Sequence, residues 1–342
     1  MIERHDSGRN PGCNPGRNRP KLLLVGIGPG DAAQMTCRAR DAIAEAELVI
    51  GHATYLRLVA DLIADKAQVK SGMTEELDRV RQAVEQAEAG RTVALISSGD
   101  SGVYGMAGLT FEVLFQSGWT PDTGFPVEVV PGTTALGSCA SLVGAPLSHD
   151  FCAISLSDLL TPWPVIARRL NAAAAADFVI ALYNPKSGRR TRQLQEAQRL
   201  LLAHRPPNTP AALIHAAYRP RQRTELTTLA AMHEHDIGMQ TTVLIGNSQT
   251  QLRHGLMITP RGYSSKYDLD NGTAVAGEQT GQSLSTGLDG WIARLRASGQ
   301  TSSELARRYH LPEAYIASVL AQAELAPPGN LDATADRATP TA

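Results

Sequence analysis

Three clusters of small residues hold the chemistry that this sequence offers. Gly26-Ile27-Gly28-Pro29-Gly30-Asp31 ends the apolar run at 21–27, Ser97-Ser98-Gly99-Asp100-Ser101-Gly102 ends the run at 92–97, and Val130-Pro131-Gly132-Thr133-Thr134-Ala135 ends the run at 126–130. Glycine in such turns lets a ligand reach the main chain, because no Cβ stands in the way. The first cluster departs from a dinucleotide fingerprint: Asp31 stands where the last glycine belongs, and Pro29 lacks the N–H a pyrophosphate would use. No Gly-Lys-Ser or Gly-Lys-Thr follows, so it is not a P-loop. Asp100 either accepts hydrogen bonds from a ligand or caps the next helix. Read singly, each turn is as well explained as a strand-to-helix connection. Read together, three turns at strand ends point to one crevice of an open α/β sheet.

The elements that position these turns alternate. Strands are predicted at 21–27, 48–50, 92–97 and 126–130, with helices at 32–46, 74–89 and 106–115 between them. A second set follows: helices at 134–142, 165–176 and 189–204, and strands at 152–155, 178–183, 211–215, 241–245 and 255–258. Alternation of this kind predicts α/β architecture with a largely parallel sheet. The expected organisation is a disordered Gly/Pro/Asn/Arg-rich leader at 1–20, α/β domains at 21–132 and 133–263, and a Gly/Ser/Thr/Gln-rich linker at 264–289. A helical appendage at 290–325 and a disordered tail at 326–342 complete it.

Composition narrows the function. Thirty-two basic against 33 acidic residues, a formal charge of −1, argue against a general nucleic-acid or membrane-surface binder. Aromatics are 5%, too few for a base-stacking platform. No apolar run is long enough to span a bilayer, and the N-terminus lacks the apolar stretch of a secretory signal. Cys13, Cys37, Cys139 and Cys152 are scattered, which fits a reducing cytoplasm and supplies neither a metal spacing nor an iron–sulfur ligand set. Cys37 and Cys139 are expected to be small core residues. His233 and His235, two apart in an expected helix, face different ways and make no metal site. The segment 301–323 has the length of a helix-turn-helix with a break at Leu311-Pro312, but its second helix has no basic residue. A docking or dimer-related appendage therefore fits better than a DNA reader.

Taken together, VGIGPGD and MT (25–36), IGHATYL (50–56), SSGDSGVYGMA (97–107) and VVPGTTA (129–135) resemble the tetrapyrrole methylases. The blocks at 144–163, 177–190, 241–250 and 257–267, with SLSDLLTPW, YNPKS and TPRGY, are similar to the precorrin-3B C-17-methyltransferase branch. The resemblance covers about residues 21–263. It departs at Ser101, where the family usually carries Pro, at His52, commonly Tyr, and in IHAAYRPRQ (214–222), which lacks the usual Asn and Gly.

The resemblance implies two α/β domains with S-adenosylmethionine held in the cleft between them, a tetrapyrrole acceptor, and a homodimer, with no metal. Carried over, the donor-binding positions are Pro29, Ser98, Gly99, Asp100, Val103, Thr134, Ala135 and Leu182, with Ala217 and Thr242 as further neighbours. The implied reaction methylates precorrin-3B at C-17 and contracts the ring to precorrin-4, in cobalamin synthesis. The absent iron–sulfur set favours the metal-free macrocycle. Methyl transfer from a sulfonium needs in-line positioning and no covalent nucleophile. The rearrangement needs proton transfer, for which His52, Tyr55, Asp100 and Asp158 are the catalytic candidates, with Ser157 alongside. His52 is as readily a packed or solvent-facing loop histidine, and Tyr104 is read as packing. The acetate and propionate groups of the substrate need cations, with Arg189, Arg190, Arg219 and Arg261 as candidates and Ser157 as a further substrate contact. The alternatives are a neighbouring methylase of the same fold, such as the C-11 enzyme, and a regulatory nucleic-acid-binding protein acting through the C-terminal helices.

Overall fold

The computed structural model describes residues 20–72 and 75–321. The leader, apart from its last residue, the tail and Cys13 lie outside the described residues. Two compact units part after Arg261.

In the first unit, β1 (Leu22–Gly26) is buried on both faces, as its unbroken LLLVG requires. Its side chains alternate: Leu23 and Val25 pack with Ala39, Ala42 and Ile43, while Leu22 and Leu24 pack with Val80, Ala83 and Val84. The first three belong to α1 (Cys37–Glu45) and the last three to α3 (Glu76–Glu88). With β2 (Leu48–His52), β3 (Ala67–Ser71), β4 (Val93–Ser97) and β5 (Val127–Val130), β1 builds a five-stranded sheet of order β3-β2-β4-β1-β5. Every pairing in it is parallel. Helices α2 (Ala53–Leu58) and α4 (Ala107–Gln116) complete this half. Strands β4, β1 and β5 are neighbours although far apart in sequence, so the chain reverses its order there and the three small-residue turns emerge side by side.

The helix expected at 32–46 is two pieces, a 3-10 turn at Ala32–Gln34 and then α1, whose N-cap Thr36 accepts from Ala39 N–H. A capping Thr in mid-segment starts a new helix instead of prolonging the old one. Cys37 at the head of α1 is exposed, contrary to the core placement expected for it; Cys139 is buried.

The second half begins with α5 (Ala135–Ser141) and the short β6 (Gly144–Ala145). Then come β7 (Phe151–Ser155), α6 (Trp163–Ala175), β8 (Val179–Tyr183), α7 (Gln193–Leu202), β9 (Pro210–His215), β10 (Arg223–Thr228) and β11 (Thr241–Ile245). Its sheet, β10-β9-β11-β8-β7, has a parallel β7–β8 pair, but every other pairing is antiparallel. The expectation of a largely parallel sheet therefore holds in the first half and fails here. The connection from β9 to β10 spans residues 216–222, too short for a crossover, which forces a reversal of direction. Helices α6 and α7 cover one face of this sheet and α5 the other. A small sheet of β6, β12 (Gln251–Arg253) and β13 (Leu256–Ile258) closes the unit.

The second unit holds α8 (Leu288–Ala297), α9 (Ser302–Tyr309) and α10 (Glu313–Ala321) around Leu295, Leu305, Ile316 and Val319. Trp291 stacks on Tyr315 and meets Tyr309 edge-on. Thr301 and Glu304 form a reciprocal capping box at the head of α9. The stretch 264–289, expected as linker, includes a 3-10 turn at Tyr263–Ser265 and a Tyr267–Ala274 bridge. Among the described residues no helix is long and apolar enough to cross a membrane.

Candidate active site

The three turns are knit together by their main chains. Gly28 and Gly99 exchange two hydrogen bonds, of 3.0 and 2.7 Å. Both have φ near +70° (75° and 69°), a region that glycine enters without strain. Gly132 N–H donates to Asp100 Oδ2 at 2.9 Å, and Thr133 Oγ1 donates to the Gln34 carbonyl at 2.8 Å. A Cβ at Gly132 would lie 2.1 Å from Gly99 O and 2.5 Å from Gly26 O, so glycine is the residue that lets these turns close on each other. Asp100 is therefore a brace: Oδ1 accepts from Gly102 N–H and Oδ2 from Gly132 N–H. It caps no helix, since α4 starts only at Ala107.

Above the turns lies a cavity of about 280 Å³ between the two five-stranded sheets of the first unit. The first half contributes Pro29, His52, Tyr55, Ser98, Gly99, Asp100, Val103 and Tyr104. The second contributes Thr134, Ala135, Cys139, Tyr183, Asn184, Ala217, Arg219 and Thr242. Most of the sequence-derived donor positions and three of the proton-transfer candidates thus share one wall or the other.

Several expected residues lie elsewhere. The Leu182 side chain is fully buried in the second core, and the cavity is met by Tyr183 and Asn184 beside it. Asp158 does not line the cavity; it accepts from Gln193 Nε2 at 2.8 Å. Ser157 is also outside the lining, its N–H donating to Ser155 Oγ. Arg189 is not among the lining residues, and Arg190 turns a guanidinium N–H to the Asn184 carbonyl at 3.4 Å. Arg261 lines a separate surface hollow with His149 and Asp150. His233 and His235 flank the end of a 3-10 turn: His233 meets Gln198, and His235 bonds Glu225 and Thr227.

His52 caps α2, its Nδ1 accepting from Thr54 N–H at 3.2 Å. That bond assigns the ring proton of the neutral form to Nε2. Burial, and then the Arg79 guanidinium, hold its pKa below the ordinary histidine value. The Tyr55 ring is 5.2 Å away. Opposite, Tyr104 adopts φ 53° and reaches across to donate its hydroxyl to the Ala153 carbonyl at 3.1 Å, with its ring 4.9 Å from that of Tyr183. Burial raises the pKa of both phenols. Tyr183 Oη also meets Thr134 Oγ1 at 3.2 Å. Tyr104 thus packs across the cavity, and its left-handed backbone is the feature that aims it. Cys139, buried beneath the cavity, has its thiol pushed up to about 11.

These features bring main-chain turns together with aromatic and polar side chains around one cavity of an α/β fold. Comparison with known proteins makes the class specific. The profile of the Tetrapyrrole (Corrin/Porphyrin) Methylases matches residues 21–233, and the chain belongs to this family. It is a methyltransferase. It is 57% identical over 250 residues to a cobalt-factor III methyltransferase of Priestia megaterium, covering 73% of this chain and 46% of that protein. It is 48% identical over 243 residues to a probable cobalt-factor III C(17)-methyltransferase of Salmonella typhimurium, covering 71% of this chain and 99% of that one. The crystal structure of the methyltransferase CobJ superposes with a TM-score of 0.66 at 35% identity, over 71% of this chain and all of that one. A uroporphyrin-III C-methyltransferase from Thermus thermophilus, complexed with S-adenosylhomocysteine, superposes at 0.53 with 27% identity, over 66% of this chain and 96% of that one.

Proposed function

We propose that this chain methylates C-17 of a precorrin-3-level tetrapyrrole from S-adenosylmethionine and contracts the ring, in cobalamin synthesis. The observation that carries the reading is the convergence of Pro29, the Ser98–Asp100 turn and Thr134-Ala135 on one cavity, in a chain whose relatives bear cobalt-factor III methyltransferase names. The cavity suits the donor. Its floor is main chain that no Cβ covers, which matches a ligand presenting a nucleoside and an amino acid to amides and carbonyls. Val103, Ala217 and Thr242 complete the donor's surroundings, with Thr242 beside the adenine.

The sulfonium is already an activated leaving group, so the protein's task is alignment. Holding methyl and acceptor carbon in line contributes roughly 7–11 kcal/mol in favourable cases. For the rearrangement, His52 and Tyr55 are the proton-handling groups within the cavity, and neutral His52 presents Nε2–H as a donor. Such groups contribute about 10²–10⁴-fold. Asp100 acts through the turns it braces.

A second reading concerns the macrocycle. Scattered cysteines favour the metal-free form, whereas the names of the two relatives favour one carrying cobalt as part of the substrate. Incubation with methyl-labelled donor and each macrocycle in turn decides between them. Label in a ring-contracted product from either supports the function. Label without contraction, or at C-11, replaces it with a neighbouring regiochemistry. The homodimer, the cytoplasmic setting and the domain limits at 21–132 and 133–263 belong to the same proposal. A low-salt gel shift that disappears when residues 268–342 are removed would instead favour a nucleic-acid role for the C-terminal helices.

A further inference from the structure

We infer that Arg219 is the carboxylate-recognition point of this cavity, reading either the α-carboxylate of the methyl donor or an acetate of the macrocycle. The inference rests on the donor-cavity reading above. Arg219 stands in the turn from β9 to β10, yet it works on the opposite half of the unit. Its Nε donates to the Pro29 carbonyl at 2.6 Å and its Nη2 to Ser98 Oγ at 2.8 Å. Its stem lies over Gly30, where a Cβ would stand 2.7 Å from Arg219 Cγ. Two hydrogen bonds and one close packing contact thus immobilise the guanidinium at the cavity wall. Nη1 has no protein partner among the described residues.

Its charge is also unanswered. Arg79 and Arg205 are buried, and Arg219 is half-buried. Arg79 has Glu75 and Glu76 near it, and Arg205 has Asp177. The ionisable groups acting on Arg219 are Tyr55 and Cys139, and neither is a carboxylate. Asp100, the cavity's carboxylate, has each oxygen already accepting from a main-chain N–H. Burial lowers the Arg219 pKa, as expected of a cation short of an anion. A guanidinium does not give up its proton at neutral pH, so the remedy left is an incoming anion. The planar fork suits a carboxylate.

The experiment uses the full chain, as wild type, Arg219→Met and Arg219→Lys, checked for folding by circular dichroism and thermal melting. S-adenosylhomocysteine and 5′-methylthioadenosine, which share a thioether nucleoside but differ in the amino-acid end, are titrated by calorimetry. A porphyrin octacarboxylate is titrated by fluorescence quenching. If the donor is the source, R219M loses about ten- to a hundredfold in affinity for S-adenosylhomocysteine, with methylthioadenosine unchanged. If the macrocycle is the source, both nucleosides bind as before and the porphyrin loses that factor. R219K keeps the charge without the fork and falls between; it supplies the comparison if R219M does not fold. Equal loss for both nucleosides makes Arg219 a brace for the Pro29 and Ser98 turns and overturns the inference, as does no change for any ligand. Failure of the wild type to bind S-adenosylhomocysteine overturns the donor reading itself.

Discussion

Substituting Gly132 by Ala tests whether the donor wall depends on main chains packed without side chains between them. The added methyl would sit 2.1 Å from Gly99 O and 2.5 Å from Gly26 O, well inside van der Waals contact, and both obstacles are main chain at the ends of buried strands. No flexible side chain can give way, so the turns themselves must part. Overpacking of this kind costs about 1–3 kcal/mol. At about 2–4 °C per kcal/mol for a unit of this size, the melting temperature should fall by about 2–12 °C. The displaced atoms are those of the proposed donor wall. If about 1.4 kcal/mol of the cost falls there, affinity for S-adenosylhomocysteine drops about tenfold. Gly137→Ala is the control. Gly137 lies in α5, and its Cβ would meet nothing within 4 Å, so helix propensity alone applies and favours Ala by about 0.8–1.0 kcal/mol. That variant should melt higher and bind the ligand unchanged. Calorimetry and differential scanning fluorimetry read both. G132A protein with wild-type melting and affinity, or G137A protein as damaged as G132A, would refute the reasoning.

Three further outcomes are expected. His52 is held neutral, its pKa depressed by burial and by Arg79, so the folded form loses stability as pH falls below the unfolded histidine value near 6.5; melting curves between pH 7.5 and 5 should be flatter for His52→Gln than for wild type. Arg38 grips Glu128 with two 2.6 Å bonds and depresses its pKa, a contribution present above the unfolded carboxylate value near 4.3 and lost as pH falls through it. The pair is partly exposed, so Glu128→Gln should cost at most about 1 kcal/mol, and less in high salt, as measured by urea unfolding. Thr301→Ala removes the capping box of α9 and should destabilise that helix by about 1 kcal/mol, seen as faster proteolysis near 301–321, with S-adenosylhomocysteine binding unaltered.

The turns and the parallel half were legible in the sequence because the physics behind them is local. A run such as Leu22–Gly26, apolar at every position, can only be a strand covered on both faces, and glycines at its end mark where main chains approach. Thr134, Ala135, Ser98 and Pro29 lie in those turns, and it was the family resemblance that singled them out as donor positions. What sequence reasoning missed depends on reach across the fold. Arg219 reads as one of the candidate cations for a substrate carboxylate, but its anchoring by Pro29 and Ser98, 190 and 121 residues away in the chain, does not show in the sequence. Tyr104 reads as packing, but the left-handed backbone that aims it leaves no trace in composition. Arg189, Arg190 and Arg261 earned attention by lying near motifs, but nearness in sequence did not bring them to the cavity. Leu182 shows the alternation of a strand: its side chain turns into the core, and the side chain at the cavity is that of Tyr183.

The proposed methyl-donor wall is built mainly of amides and carbonyls, and that has a consequence for how such enzymes diversify. Peptide groups are the same in every protein, so mutation of nearby side chains leaves these contacts in place while the side chains around them are free to vary. Selection for a new pigment, or an engineer seeking a different carbon to alkylate, would work through cavity side chains such as His52, Tyr104 and Tyr183 and leave the peptide contacts of the proposed donor wall unchanged.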